Sequence, residues 1–115
     1  MSTIEQGDIF DYDFGPRSDN RQEGKRPALV IQSDRLNELP NYGLTVIVPL
    51  TTKGRPSPTH VSLEPSQLSG LTALSFAKGE QLFTVPVEEL GQRRGNISKH
   101  ELFRVKEALR IVLEL

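Results

Sequence analysis

From Asp8 to Phe14 the chain alternates, with Phe10, Tyr12 and Phe14 on one side and Asp11 and Asp13 on the other. A period of two is the signature of a half-buried strand. Gly15 to Lys25 is polar, charged and begins at a glycine, which predicts an exposed loop. Arg26 to Ser33 predicts a second strand with Ala28-Leu29-Val30-Ile31 as its buried run. Pro27 lacks a backbone donor, so it belongs among the first residues of that strand or on an edge. Asp34 to Leu39 predicts one helical turn, stopped by Pro40. Leu44 to Thr51 and Thr59 to Leu63 predict a third and a fourth strand, with Gly54, Pro56 and Pro58 making a loop between them. Thr72 to Lys78 and Gln81 to Val85 predict further strands, broken around Gly79.

The terminal segment is the clearest helix. Ser98 and Glu101 stand at the spacing of a capping box, and Ile97 and Leu102 at that of a hydrophobic staple. Leu102, Val105, Leu109, Val112 and Leu113 then form one apolar stripe. Several short strands followed by one helix predict a mainly β fold with a C-terminal helix. A small bent antiparallel sheet or partial barrel, of the SH3-like type, meets that pattern.

Composition narrows the picture. The 115 residues suit one domain spanning 1–115, and no repeat, low-complexity tract or linker divides them. The absence of cysteine excludes a disulfide framework, a thiol nucleophile and a thiolate metal site. No apolar run approaches the roughly 20 residues that span a bilayer. Met1 to Gln6 lacks the basic and apolar regions of a signal peptide, so a cytoplasmic protein away from membranes is expected. Asn96-Ile97-Ser98 matches a glycosylation acceptor, which carries no meaning without secretion. A net charge of −1 argues against a protein that coats long polyanions. Charge placement says more: Arg17, Arg21, Lys25 and Arg26 share one stretch, and Lys53 and Arg55 another. A local basic patch on a neutral protein suits a short, selective phosphate contact.

Gly7-Asp8-Ile9-Phe10 followed by Gln22-Glu23-Gly24-Lys25-Arg26-Pro27-Ala28-Leu29-Val30-Ile31 resembles the MazF/PemK toxins, ribonucleases of bacterial toxin–antitoxin systems. Their corresponding strand reads G-x-R-P-x-L-V-I. The likeness continues through Asp34-Arg35-Leu36-Asn37, Val48-Pro49-Leu50-Thr51-Thr52, Pro58-Thr59-His60-Val61 and Glu80-Gln81, in family order and at family-like spacing. The resemblance implies an SH3-like barrel with a C-terminal helix, usually a homodimer, and a cognate antitoxin as partner. It also implies cleavage of single-stranded RNA without a metal or other cofactor. The family's arginine falls on Arg26 and its catalytic threonine on Thr51.

Such cleavage uses the ribose 2′-hydroxyl as an internal nucleophile. The enzyme must help deprotonate it, stabilise charge building on the phosphate, and see the leaving 5′-oxygen protonated. Arg26 suits the phosphate, because its planar fork takes two oxygens at once. Thr51 can orient the same phosphate with one hydrogen bond. By position alone Arg26 reads as a surface arginine on an edge strand and Thr51 as an ordinary strand-end threonine; the resemblance gives both their roles. Lys78 and Glu80 resemble the basic–acidic pair of the Kid/PemK branch, with Glu80 as a general base once burial raises its pKa. The plainer reading of this pair is a solvated salt bridge near a turn.

That branch has a catalytic histidine in its first loop, where this chain has Asn20, so its acid–base scheme does not carry over whole. His100 is expected on the exposed side of the helix, and His60 is expected to make a structural hydrogen bond. Phe83 stands where many relatives carry arginine, so either one phosphate contact is missing there or a base stacks on Phe83 instead. Phe10, Tyr12, Phe14, Phe76 and Phe103 read as core, which leaves Tyr42 and Phe83 as stacking surfaces. Asn20, Arg21 and Gln22 in the loop, with Lys25, Lys53 and Gln81, complete the expected RNA-contacting set. Two other functions share the barrel: a non-enzymatic CcdB-like toxin acting on DNA gyrase through its terminal helix, and a catalytically degenerate module that binds antitoxin or nucleic acid.

Overall fold

The computed structural model describes residues 4–115. Met1, Ser2 and Thr3, part of the N-terminus read above for signal-peptide character, lie outside the described residues. The elements in chain order are β1 (Asp8–Asp13), β2 (Lys25–Val30), α1 (Asp34–Asn37), β3 (Leu44–Thr51), β4 (His60–Leu63), β5 (Ser75–Lys78) and β6 (Phe83–Pro86). A 3-10 turn (Val87–Glu89), β7 (Arg93–Asn96) and α2 (Lys99–Leu113) follow. The sheet order is β4-β5-β3-β2-β1-β7, with β6 also paired to β3, and every pairing is antiparallel.

β3 is the hinge of this sheet. Leu44 to Ile47 pair with β6 on one edge and Ile47 to Pro49 with β2 on the other, so Ile47 lies opposite both Phe83 and Val30. The β2 ladder ends at Ala28↔Pro49, where proline removes a donor. Beyond it Leu50 and Thr51 pair with β5 instead. The strand thus passes from one half of the sheet to the other and bends it into a partial barrel.

Both faces of the sheet are covered. Ile9, Leu29, Val48, Leu50 and Leu63 form one cluster with Val105 and Ala108 of α2. Their neighbours Phe10, Ala28, Val30 and Ile47, which alternate onto the opposite face, form a second cluster with Phe14 and Val85. In α2, Ser98 Oγ accepts from the Glu101 N–H (3.1 Å) and Glu101 Oε1 from the Ser98 N–H (3.0 Å), completing the expected capping box. Glu101 Oε2 also accepts from the Glu64 N–H (3.1 Å), tying the helix start to the end of β4.

Several expectations are corrected. Thr72, Ala73 and Leu74 precede β5 outside any strand, and Leu74 is exposed. Gln81 and Leu82 belong to the turn between β5 and β6. In α2 the buried positions are Val105 and Ala108, whereas Leu113 is exposed, and Phe103, one step off the buried face, is 61% exposed rather than core.

β7 was missed because Arg93-Arg94-Gly95-Asn96 has no apolar side chain to give a period. Its partners specify it instead. Arg93 reaches Asp8 (3.1 Å), and Arg94, the extra residue at a bulge against β1, reaches Asp11 (2.8 Å). Gly95 lets the backbone of Leu68 and Ser69 pack directly on the strand.

Candidate nucleic-acid interface

Arg26 is the second residue of β2 and lies opposite Tyr12 of β1. Its backbone is therefore held in a ladder while its side chain is exposed. Among the described residues its guanidinium has no hydrogen bond or ion pair, and the same is true of the side-chain amines of Lys25 and Lys53. Arg26 and Lys25 line a cleft of about 330 Å³ together with Tyr12 and Glu89.

Thr51, at the far end of β3, is buried, and its Oγ1 accepts from the Lys53 N–H (3.1 Å). That bond leaves the hydroxyl hydrogen available to another acceptor. Arg26 stands two residues before Ala28 and Thr51 two after Pro49, and Ala28 and Pro49 are directly paired. Alternation places both side chains on the face shared by that pair.

The 15–24 loop is closed by two backbone bonds, Phe14 N–H to Gly24 O and Gly24 N–H to Gly15 O, each 2.9 Å. Gly15 and Gly24 take φ of +71° and +80°, left-handed values that suit glycine. Far from floating free, the loop is latched onto the β5–β6 turn. The Gln22 N–H donates to Gln81 Oε1 (2.6 Å), Gln81 Nε2 donates to Asn20 O (3.1 Å), and Lys78 Nζ donates to Gln22 Oε1 (2.8 Å). Gln22 is buried, and its Nε2 donates to Glu23 O (3.0 Å).

These bonds change the roles expected of four residues. Gln22 and Gln81, expected to contact RNA, use their amides in the latch that positions the loop. Lys78 points to Gln22 and Glu80 to His60, so the two do not form a pair with each other. His60 Nε2 meets Glu80 Oε2 at 2.9 Å, a hydrogen bond as expected of that histidine, though its partner lies 20 positions away rather than nearby in the chain. Burial pushes the Glu80 carboxyl up, but hydrogen bonds from His60, its own backbone and Thr59, with the charge of His60, outweigh it. The net effect holds Glu80 below the ordinary glutamate value. It is also 38% exposed at the side chain, the opposite of the raised, buried base anticipated.

Asn20 and Arg21 remain exposed beside Glu80 and Gln81, in a shallow recess. Arg21 is paired with Asp19 of its own loop (2.9 Å). Phe83 is no open stacking platform. Phe14 packs edge-on against it (centroids 5.0 Å apart), and Arg17 lies over its ring at 5.8 Å. The contact joins residues 66 positions apart, and nothing local in the basic stretch that holds Arg17 marks it. Tyr42 is 40% exposed, and His100 is exposed as expected.

Tyr12 and Glu89 were also missed as a pair. Tyr12 Oη donates to Glu89 Oε1 at 3.1 Å, across 77 residues of sequence. Burial, the Glu89 hydrogen bond and the Glu89 charge raise the phenol pKa, partly opposed by Arg17, so the phenol keeps its proton at neutral pH.

A model of the PemK-like, MazF-like toxins of type II toxin–antitoxin systems matches residues 5–113. The endoribonuclease MazF of Staphylococcus epidermidis is 33% identical over 97% of this chain and 92% of its own length. The endoribonuclease MazF9 of Mycobacterium tuberculosis is 29% identical over 97% of this chain and 98% of its own. A solved mycobacterial endoribonuclease in complex with its cognate antitoxin superposes with a TM-score of 0.80 at 26% identity, covering 98% of this chain and 97% of that one.

Proposed function

The chain belongs to the PemK-like, MazF-like toxin family of type II toxin–antitoxin systems, and on that premise we propose that it is a toxin endoribonuclease cleaving single-stranded RNA without a metal. One observation carries the assignment of the site: among the described residues the exposed Arg26 guanidinium is unpaired on a hydrogen-bonded strand, and alternation along β2 and β3 sets it on the face of the Thr51 side chain. A fixed backbone with a free cationic fork is what clamping a phosphate requires.

In this reading the 2′-hydroxyl attacks the adjacent phosphorus, and Arg26 takes the charge that builds on the two free phosphate oxygens. Thr51, its oxygen turned by the Lys53 N–H, donates its hydroxyl hydrogen to one of them. Lys25 and Lys53 extend the positive surface along the strand backbone. Gln22, Lys78 and Gln81 hold the loop that leads into Lys25 and Arg26. The protein acts in the cytoplasm as a homodimer, and a cognate antitoxin silences it by covering this basic face. Among the described residues no helix is long and apolar enough to cross a membrane. The gyrase-poisoning alternative is not favoured, because the curated relatives are named endoribonucleases.

The test is incubation of purified protein with single-stranded RNA in EDTA, beside Arg26→Ala. Products ending in a 2′,3′-cyclic phosphate are expected, with a fall of about 10²–10³-fold in the mutant. Intact RNA across varied sequences, or an equally active mutant, refutes the proposal.

A further inference from the structure

Withdrawing Glu80 into its bond with His60 leaves the reaction without a base. The cleft beside Arg26 holds another carboxylate in a better place. Tyr12 and Arg26 are direct partners across β1 and β2, so their side chains rise from one face. The Tyr12 phenol donates to Glu89 Oε1, and all three residues line the 330 Å³ cleft. That volume lies within the range of small-ligand sites. Glu89 ends the 3-10 turn, and its flanks are pinned to the sheet. The Val87 N–H donates to Gly43 O (2.8 Å), and the Gly91 N–H to Asp11 O (2.7 Å).

The remaining charges of the cleft are largely spoken for. Asp11 holds Arg94 (2.8 Å), and Asp13 Oδ1 accepts from the Gly15 N–H (2.9 Å). Lys25 and Arg26 stay unpaired among the described residues, and Arg17 adds positive charge near Tyr12. Glu89, which lines the cleft, makes no hydrogen bond beyond that from Tyr12 among the described residues, so Oε2 is free to accept a proton.

We propose that Glu89, oriented by Tyr12, takes the 2′-hydroxyl proton in the cleft that Arg26 lines. This rests on the endoribonuclease reading and supplies the group that reading lacks. The O–H bond of the 2′-hydroxyl breaks and its proton passes to Glu89 Oε2. The oxygen's electron pair forms the new bond to phosphorus, the P–O5′ bond breaks, and the leaving 5′-oxygen takes a proton from water at the open mouth of the cleft. Tyr12 remains a phenol throughout and is a positioning residue. Glu89 acts only when ionised, which puts an acid limb on the rate profile.

The experiment is single-turnover cleavage of single-stranded RNA in EDTA from pH 4.5 to 8, for the wild type, Glu89→Gln and Tyr12→Phe. Binding of a 2′-deoxy analogue, which cannot be cleaved, is measured in parallel. Glu89→Gln is expected to slow cleavage about 10²–10⁴-fold at neutral pH and to erase the acid limb, with analogue binding preserved. Tyr12→Phe, which keeps the ring's contact with Phe14, is expected to slow cleavage about 10-fold and to move that limb, a change that simple loss of packing does not produce. A Glu89→Gln enzyme with wild-type rate and acid limb overturns the proposal while leaving the endoribonuclease reading intact. Loss of analogue affinity matching the loss of rate makes Glu89 a binding group and also overturns it. Tyr12→Phe indistinguishable from wild type removes Tyr12 from the mechanism. A wild type that cuts no RNA defeats both readings together.

Discussion

Gln81→Leu is the most informative perturbation of the latch, because it deletes two hydrogen bonds between segments about sixty positions apart while keeping side-chain bulk. The lost bonds are Gln22 N–H to Gln81 Oε1 at 2.6 Å and Gln81 Nε2 to Asn20 O at 3.1 Å. Each is worth about 1 kcal/mol net, so the free energy of opening the loop should fall by about 2 kcal/mol. That corresponds to about 30-fold less protection of the Gln22 amide in native-state hydrogen exchange. The Gln22 N–H need not stay buried and unpaired, because the loop can swing it into water, which limits the damage to this segment. Amides of β2 and β3 should accordingly keep wild-type protection. Arg26 sits in β2, beyond the latch, so cleavage should fall less than in Arg26→Ala. Unchanged Gln22 protection would show that the two bonds do not hold the loop. An equal fall across β2 and β3 would show that the loop opens only with the whole domain. Either result refutes the reasoning.

Three further outcomes are expected. The folded state holds Glu80 below the ordinary glutamate value, so its ionisation adds stability above about pH 4.3 that disappears as pH falls through the folded value. Glu80→Gln should therefore lower the unfolding free energy at neutral pH, by less than about 1 kcal/mol for so exposed a pair, and match wild type in strong acid; a mutant equally stable at neutral pH contradicts this. Gly95→Ala should cost about 1–3 kcal/mol by urea denaturation, because the added Cβ meets the Leu68 carbonyl and comes within 2.8 Å of the Ser69 carbonyl carbon; a wild-type midpoint removes that argument. Ser98→Ala breaks the capping box and should cost about 1 kcal/mol, seen as a small drop in Tm with cleavage unchanged.

The sequence by itself determined the elements whose cause is local. The alternation through Phe10, Tyr12 and Phe14, the apolar run after Pro27, β3 at Leu44–Thr51 and the capped helix each follow from neighbouring residues and match the fold. Arg26 and Thr51 drew their proposed roles from a resemblance spread over the chain, and no local pattern marks either of them. Tertiary structure alone decided what long-range partners impose. β7 has no pattern of its own and exists because β1, Asp8, Asp11 and the Leu68 backbone select it. Gln22, Lys78 and Gln81 looked like polar groups awaiting RNA until the fold paired them with one another. The Glu80 pKa turned on a histidine 20 residues away, which burial alone could not foretell. Tyr12 and Glu89 are separated by 77 positions, and no local spacing relates them. Local pattern reports which residues can form an element, whereas hydrogen bonds, charges and ring contacts depend on which elements meet.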